Sequence, residues 1–477
     1  MLREETVKCC KQKSMDSAKL HIAMFPWLAF GHFIPFLQLA NDLAKRGHRI
    51  SLLLPTNALL KLKHMNLYPQ LITLCALTIP QVEGLPPGAE TTADDRRNSL
   101  DGSLEVAFDG LQDEVKSILL HMEKPNLVLY DHAYWIPELV LEMGCKTVRF
   151  SVVSPTVSAL SLLMWAIKGK GRAVTAADLM EAPPGFPSDS KVVLREHEAY
   201  QVSRFANAPT NRMKVFDRVG EALKRCDAIA FRACNEMEGQ YCNYIATKLG
   251  KPVYCTGPLL PEPPREEAFD GEIARWLDKF EPNSVIFCAF GSELALQKEQ
   301  FHELVLGLEL TGLPFLVAVR PPEGSSSIEE ALPEGFEERI KGKAIVHGGW
   351  VQQSLILRHK AVGYFVNHGG SASMWESLAC HCRIIVAPPN RYDFALNARL
   401  MTEELEAAVE VQTDENGRFF KENLCNAIKS VMGGNIQKEN HNDFEAQSSR
   451  VFREPRRICV NAGVVGQPLP DNCGTSK

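Results

Sequence analysis

The sequence lacks the marks of several protein classes. No apolar run reaches the roughly 18 residues that a membrane-crossing helix needs. The most apolar stretch, Val152 to Ile167, is broken by Ser, Thr and Pro and reads as a buried segment. Residues 1–14 hold Lys8, Cys9, Cys10, Lys11 and Lys13 but no hydrophobic core of a secretory signal. The net charge is only −6, so neither nucleic acid nor an anionic membrane is an expected partner. Fourteen cysteines occur without a Cys-x-x-Cys pair, and Cys380-x-Cys382 is too tight for half a zinc site. They are read as reduced, mostly buried thiols of a cytosolic protein. No internal repeat recurs at solenoid periods. No Gly-x-Gly-x-x-Gly follows the first predicted strand, where Leu28-Ala29-Phe30-Gly31-His32 stands, which argues against a nicotinamide dehydrogenase. No Asp-x-Asp pair follows a predicted strand, so no metal is expected.

What remains is ordinary soluble-protein composition, 45% hydrophobic and 23% charged. At 477 residues the chain is too long for one core, and two domains are expected. The apolar run His21 to Trp27, the amphipathic stretch Phe36 to Arg46 closed by Gly47, and the run Arg49 to Leu54 form a β-α-β unit. The order returns at Leu127 to Tyr130, a helix through Glu142, and Thr147 to Val152. Gly257 to Pro264 holds four prolines, which fit neither a helix nor a central strand. Beyond it β-α alternation restarts, with strands expected over Ser284 to Phe290, Phe315 to Val319, Ala361 to Val366, Arg383 to Ala387 and Ala407 to Val411. The expected fold is α/β, two doubly wound domains spanning 15–255 and 276–440 with a linker at 256–275. Residues 1–14 are an extra segment. Residues 441–477 hold three prolines and three glycines with no helical apolar stripe, and are expected to be disordered and not to clamp the domains together.

One stretch concentrates the chemistry. Trp350-Val351-Gln352-Gln353 is followed by His368-Gly369-Gly370-Ser371-Ala372-Ser373, then Glu376, then Asp393-Phe394. Trp350 offers a flat apolar face for a base, and Gln353 offers amide hydrogen bonds. The small residues after His368 precede a predicted helix, Ser373 to Cys380, whose free N–H groups and dipole make an anion site. Glu376 can accept from a ribose diol and Asp393 from a sugar. Singly, a tryptophan is usually core and a histidine before Gly-Gly usually a loop residue. The ordered set points to a nucleotide sugar. His32 and Asp131 each follow a predicted strand. His32 is the candidate general base, with a reference pKa near neutrality, and Asp131 can fix its tautomer. Their plain alternatives are a loop histidine and a helix N-cap.

Taken together, Trp350, Gln353, His368, Gly370, Ser373, Glu376 and Asp393 resemble the donor box of the plant family 1 UDP-glycosyltransferases. Gly369, Ser371, Ala372 and Phe394 depart from that box, where Cys, Trp, Asn and Gln are usual, and one extra residue falls within Pro388-Pro389-Asn390-Arg391-Tyr392. The resemblance covers roughly residues 17–440. It implies a GT-B fold of two Rossmann-like domains facing across a cleft, with His32 and Asp131 as the catalytic pair. Ser292, Trp350, Val351, Gln353, His368, Gly370, Ser371, Ala372, Ser373, Glu376, Asp393 and Phe394 would bind the donor. Gly-Trp-Val-Gln-Gln, Ser373 to Leu378 and Leu400 to Leu405 resemble the group that elongates sugars already on flavonoids or terpenoids. The implied function is inverting O-glycosylation of a small secondary metabolite, with a UDP-sugar as co-substrate and no cofactor, by a cytoplasmic monomer. A phenyl ring at 394 cannot bond sugar hydroxyls, so UDP-xylose or UDP-rhamnose is expected to compete well with UDP-glucose. The alternative is a catalytically silent nucleotide-sugar-binding protein with a degenerate box.

Overall fold

A computed structural model describes residues 19–94, 102–210, 212–260, 271–291, 293–389 and 391–432. Strands β1 (His21–Phe25), β2 (Arg49–Pro55), β3 (Ile72–Leu77), β4 (Leu127–Tyr130), β5 (Lys146–Ser151), β6 (Ala228–Phe231) and β7 (Val253–Cys255) form one sheet. Strands β8 (Val285–Ala289), β9 (Phe315–Ala318), β10 (Ala344–His347), β11 (Val362–Asn367), β12 (Arg383–Val386) and β13 (Ala408–Glu410) form another. The orders are β3-β2-β1-β4-β5-β6-β7 and β10-β9-β8-β11-β12-β13. Every described strand pair is parallel. This is the doubly wound pair that the sequence implies. The central strands β1, β4, β8 and β11 are buried along their whole length, as apolar strands covered by helices on both faces must be. The edge strands β3, β7 and β10 are partly exposed and are not among the strands expected from the sequence.

Both orders reverse beside their first strand, between β1 and β4 and between β8 and β11. There the following connections diverge to opposite faces and leave a crevice beyond the carboxyl ends. His32 and Asp131 follow β1 and β4. Gly291 and His368 follow β8 and β11.

Two helix starts differ from the sequence reading. The helix expected from Phe36 runs Phe30–Lys45, with Pro35 inside it. Pro35 lies in the second turn, where it forfeits one N–H bond, while Phe33, Phe36 and Leu37 pack fully into the core. His32 therefore stands in the first turn of a helix, not in a loop before it. The helix expected from Ser373 runs Ser371–Ala379 with Gly370 at its N-cap.

Described residues of the two domains meet directly. Val157, Leu160 and Met164 of the helix Pro155–Gly169 share an apolar cluster with Ala395, Leu396 and Leu400. Beside it, buried Arg399 donates to Glu198 at 2.7 Å and pairs with Glu410, which also accepts two 3.0 Å bonds from Arg195. The segment 1–14, the tail 441–477 and the linker core 261–270 lie outside the described residues. Among the described residues no helix is long and apolar enough to cross a membrane.

Candidate active site

Parallel pairing of Phe25 with Tyr130 brings the ends of β1 and β4 level. His32 Nδ1 hydrogen-bonds Asp131 Oδ2, joining residues 99 positions apart. An ionised carboxylate only accepts, so Nδ1 carries the proton, and in the neutral ring the lone pair is then on Nε2. That is the tautomer a general base needs. The N-cap alternative for Asp131 fails on geometry, because the next helix is Ile136–Leu141 with Trp135 at its cap.

Asp131 is 1% exposed and faces three cationic or ionisable neighbours. His132 Nε2 lies 3.5 Å and Arg149 3.7 Å from its Oδ1. Burial disfavours the carboxylate, but the neighbouring His132 and His32, the His32 hydrogen bond and Arg149 outweigh it and hold the Asp131 pKa down to about 2. Burial also holds His132 down to about 3, against the pull of Asp131, with His32, Arg149 and Arg218 adding to the lowering. His132 is thus neutral near pH 7. Arg149 is fully buried, and among the described residues its guanidinium finds no hydrogen-bond acceptor. Sequence reasoning missed both residues, although a charge inside an apolar strand and a histidine next to Asp131 were visible signals. Ligand atoms of His32, Asp131 and His132 lie within 4.8 Å of one another, enough to suggest a metal triad. The guanidinium beside the shared carboxylate opposes a divalent cation there.

Trp350 to Gln353 follow β10, His368 to Glu376 follow β11, and Asp393 and Phe394 follow β12. Gln353 Nε2 donates to Ser373 Oγ at 3.3 Å and Glu376 Oε2 at 3.2 Å, tying three of them together. Burial raises the Glu376 pKa. Val351 is buried beneath, whereas Trp350 is 76% exposed and presents an open face. His368 is buried, and burial with the charge of Arg391 pushes its pKa down to about 4, so it is a neutral ring near pH 7. Glycines make room for it: a Cβ on Gly291 would meet its Cε1 at 3.1 Å, and one on Gly370 its Nε2 at 2.6 Å. Gly369 has φ +88°, and a Cβ there would meet the Phe394 carbonyl at 2.9 Å, which accounts for glycine at this departure from the box. Among the described residues no side chain caps the helix that opens with Ser371, Ala372 and Ser373, so its N–H groups face the crevice uncapped. Asn397, another residue the sequence reading missed, donates to the Gly369 carbonyl at 2.9 Å and Ser371 Oγ at 3.2 Å. Ser292 lies outside the described residues.

The end of the box is arranged differently from its sequence reading. The Phe394 ring is buried edge-on against His368, with centroids 4.7 Å apart. Arg391 covers it at 4.4 Å and pairs with Asp393 at 3.2 and 3.3 Å.

Residues 336–446 match the family model described as UDP-glucoronosyl and UDP-glucosyl transferase. An Arabidopsis thaliana anthocyanidin 3-O-glucoside 2'''-O-xylosyltransferase is 50% identical over 423 residues, 88% of this chain and 90% of that one. UDP-glycosyltransferase 79B6 of the same plant is 47% identical over 429 residues, covering 89% and 92%. Among solved structures, Glycyrrhiza uralensis UGT73P12 complexed with glycyrrhetinic acid 3-O-monoglucuronide superposes with a TM-score of 0.77 at 21% identity, covering 94% of each chain. Arabidopsis thaliana UGT89C1 complexed with quercetin gives 0.70 at 20%, covering 92% and 96%. At that identity the two structures share the fold.

Proposed function

This chain belongs to the plant UDP-glycosyltransferases, and on that premise we propose that it adds a sugar to a hydroxyl of a flavonoid or terpenoid glycoside. The observation that carries the proposal is the His32–Asp131 hydrogen bond at one switch point, with the donor box at the other. In this reading residues 15–255 hold the acceptor and 276–440 the UDP-sugar. His32 Nε2 takes the acceptor hydroxyl proton, and the acceptor oxygen forms a bond to the anomeric carbon. The bond from that carbon to the β-phosphate oxygen breaks, and UDP leaves with the electron pair. A single displacement inverts the anomeric centre. Ionised Asp131 stabilises the imidazolium that forms. Trp350 stacks on uracil, Gln353 and Glu376 hold the nucleoside, and His368, Ser292 and the N–H groups at Ser371 to Ser373 meet the diphosphate. These donors receive the leaving charge without a metal. The chain works as a cytoplasmic monomer.

The xylosyl transfer in the name of the 50%-identical relative makes UDP-xylose the first donor to assay, with an anthocyanidin 3-O-glucoside as acceptor. Mass spectrometry should find an acceptor heavier by one sugar, with UDP released in equal amount. UDP-xylose, UDP-glucose and UDP-rhamnose all left intact across a panel of flavonoid glycosides would refute the proposal. A degenerate donor box with no activity finds no support from relatives named as transferases.

A further inference from the structure

Phe394 stands where the family box places a sugar-reading amide, and its ring is turned inward under Arg391. The chain therefore needs another hydrogen-bond donor at this place if it is to hold a sugar. Arg391 is the residue before the helix Tyr392–Arg399 and lies in the segment lengthened by one residue. Its guanidinium is held on two sides. Nε and Nη2 bond the Asp393 carboxylate at 3.3 and 3.2 Å. Nη1 approaches Glu293 Oε2 at 3.8 Å, beyond hydrogen-bond reach. Among the described residues that leaves the two Nη1 N–H groups available to a further acceptor, on a side chain that is 45% exposed. The ring beneath orients the guanidinium plane. The same group shares the Phe394 ring with His368.

From this we propose that Arg391 is the sugar-specificity residue of this chain, donating to hydroxyls of a neutral UDP-pentose or UDP-hexose in place of the amide lost at residue 394. The proposal rests on the UDP-sugar reading above. An anchored planar fork suits two vicinal hydroxyl oxygens. The flanking carboxylates of Asp393 and Glu293 leave the cluster with net negative charge, which disfavours a uronate sugar. Glu293 also accepts a 2.9 Å bond from Thr92 of the other domain. Arg391 therefore sits beside a polar contact that spans the cleft, on the side where sugar and acceptor would meet.

The test measures steady-state constants for UDP-xylose and UDP-glucose, and calorimetric binding of UDP alone, for the full chain and its Arg391→Ala and Arg391→Gln variants. The proposal expects Arg391→Ala to lower kcat/KM for the preferred donor by about 10- to 100-fold, the span of one charge-assisted hydrogen bond. It should leave UDP affinity within about twofold and compress the ratio between donors. Arg391→Gln, which restores N–H donors without the charge, should recover part of that ratio. Unchanged donor constants in Arg391→Ala would overturn the proposal. So would an equal loss for UDP and UDP-sugar, which would mark Arg391 as a structural brace. Failure of the unsubstituted protein to consume any donor would instead refute the transferase reading itself.

Discussion

Acid sensitivity should expose the electrostatics around the catalytic pair, and His132→Gln is the substitution that isolates it. His132 has an ordinary pKa of 6.5 in the unfolded chain and about 3 in the native one, because burial excludes the imidazolium. Above pH 6.5 both states are neutral and the site contributes nothing to the pH dependence. Between 6.5 and 3 the unfolded chain takes up a proton that the native chain cannot. Stability from this site then falls by about 1.36 kcal/mol per pH unit as pH drops. From pH 7 to 5 the loss is about 2 kcal/mol, a large share of the roughly 5–15 kcal/mol that holds a domain folded. Gln keeps a neutral polar group at 132 and removes the titration. Buried Glu238 acts in the opposite sense. Burial raises its pKa well above the usual range, so its cost is relieved as pH falls. That effect is common to both proteins and cancels in the difference between them. Asp131, held near 2 against 3.8 unfolded, contributes fully above about pH 3.8, so it adds no slope in the pH 5–7 window and loses its contribution only as pH falls from about 3.8 to about 2. Urea unfolding at pH 7, 6 and 5 should therefore show the unsubstituted protein losing about 2 kcal/mol more than His132→Gln. A difference independent of pH would mean that His132 is protonated in the native state, and the account of this cluster would be wrong.

Three further outcomes follow from the geometry. His32→Ala should lose about 10²–10⁴-fold in turnover with UDP binding intact, and Asp131→Asn should lose most activity and shift the pH–rate profile; steady-state UDP release measures both, and near-normal turnover would remove the assignment. UDP should raise the melting temperature of the native protein, and Trp350→Ala should abolish that rise by removing the exposed stacking face; differential scanning fluorimetry reads it, and a retained shift would displace Trp350 from the site. Arg399→Ala leaves the buried Glu198 carboxylate without the arginine that bridges it to Glu410 and should cost about 3–5 kcal/mol, seen by urea unfolding.

The alternation of strand and helix and the ordered donor box were legible in the sequence because each is local. Hydrophobic period, turn chemistry and motif spacing are properties of neighbouring residues. Even so, the first helix starts six residues before the expected Phe36, since burial of Phe33, Phe36 and Leu37 outweighs the one hydrogen bond lost at Pro35. Only the tertiary structure decided which distant residues meet. The reversal of strand order beside β1 and β8 sets His32 against Asp131 and Gly291 against His368. No spacing along the chain encodes His132 and Arg149 converging on one carboxylate. The orientation of residue 394 was equally hidden. Its ring buries itself against His368 because apolar surface leaves water, and the arginine three residues earlier, with a charge that stays solvated, takes the exposed place above it.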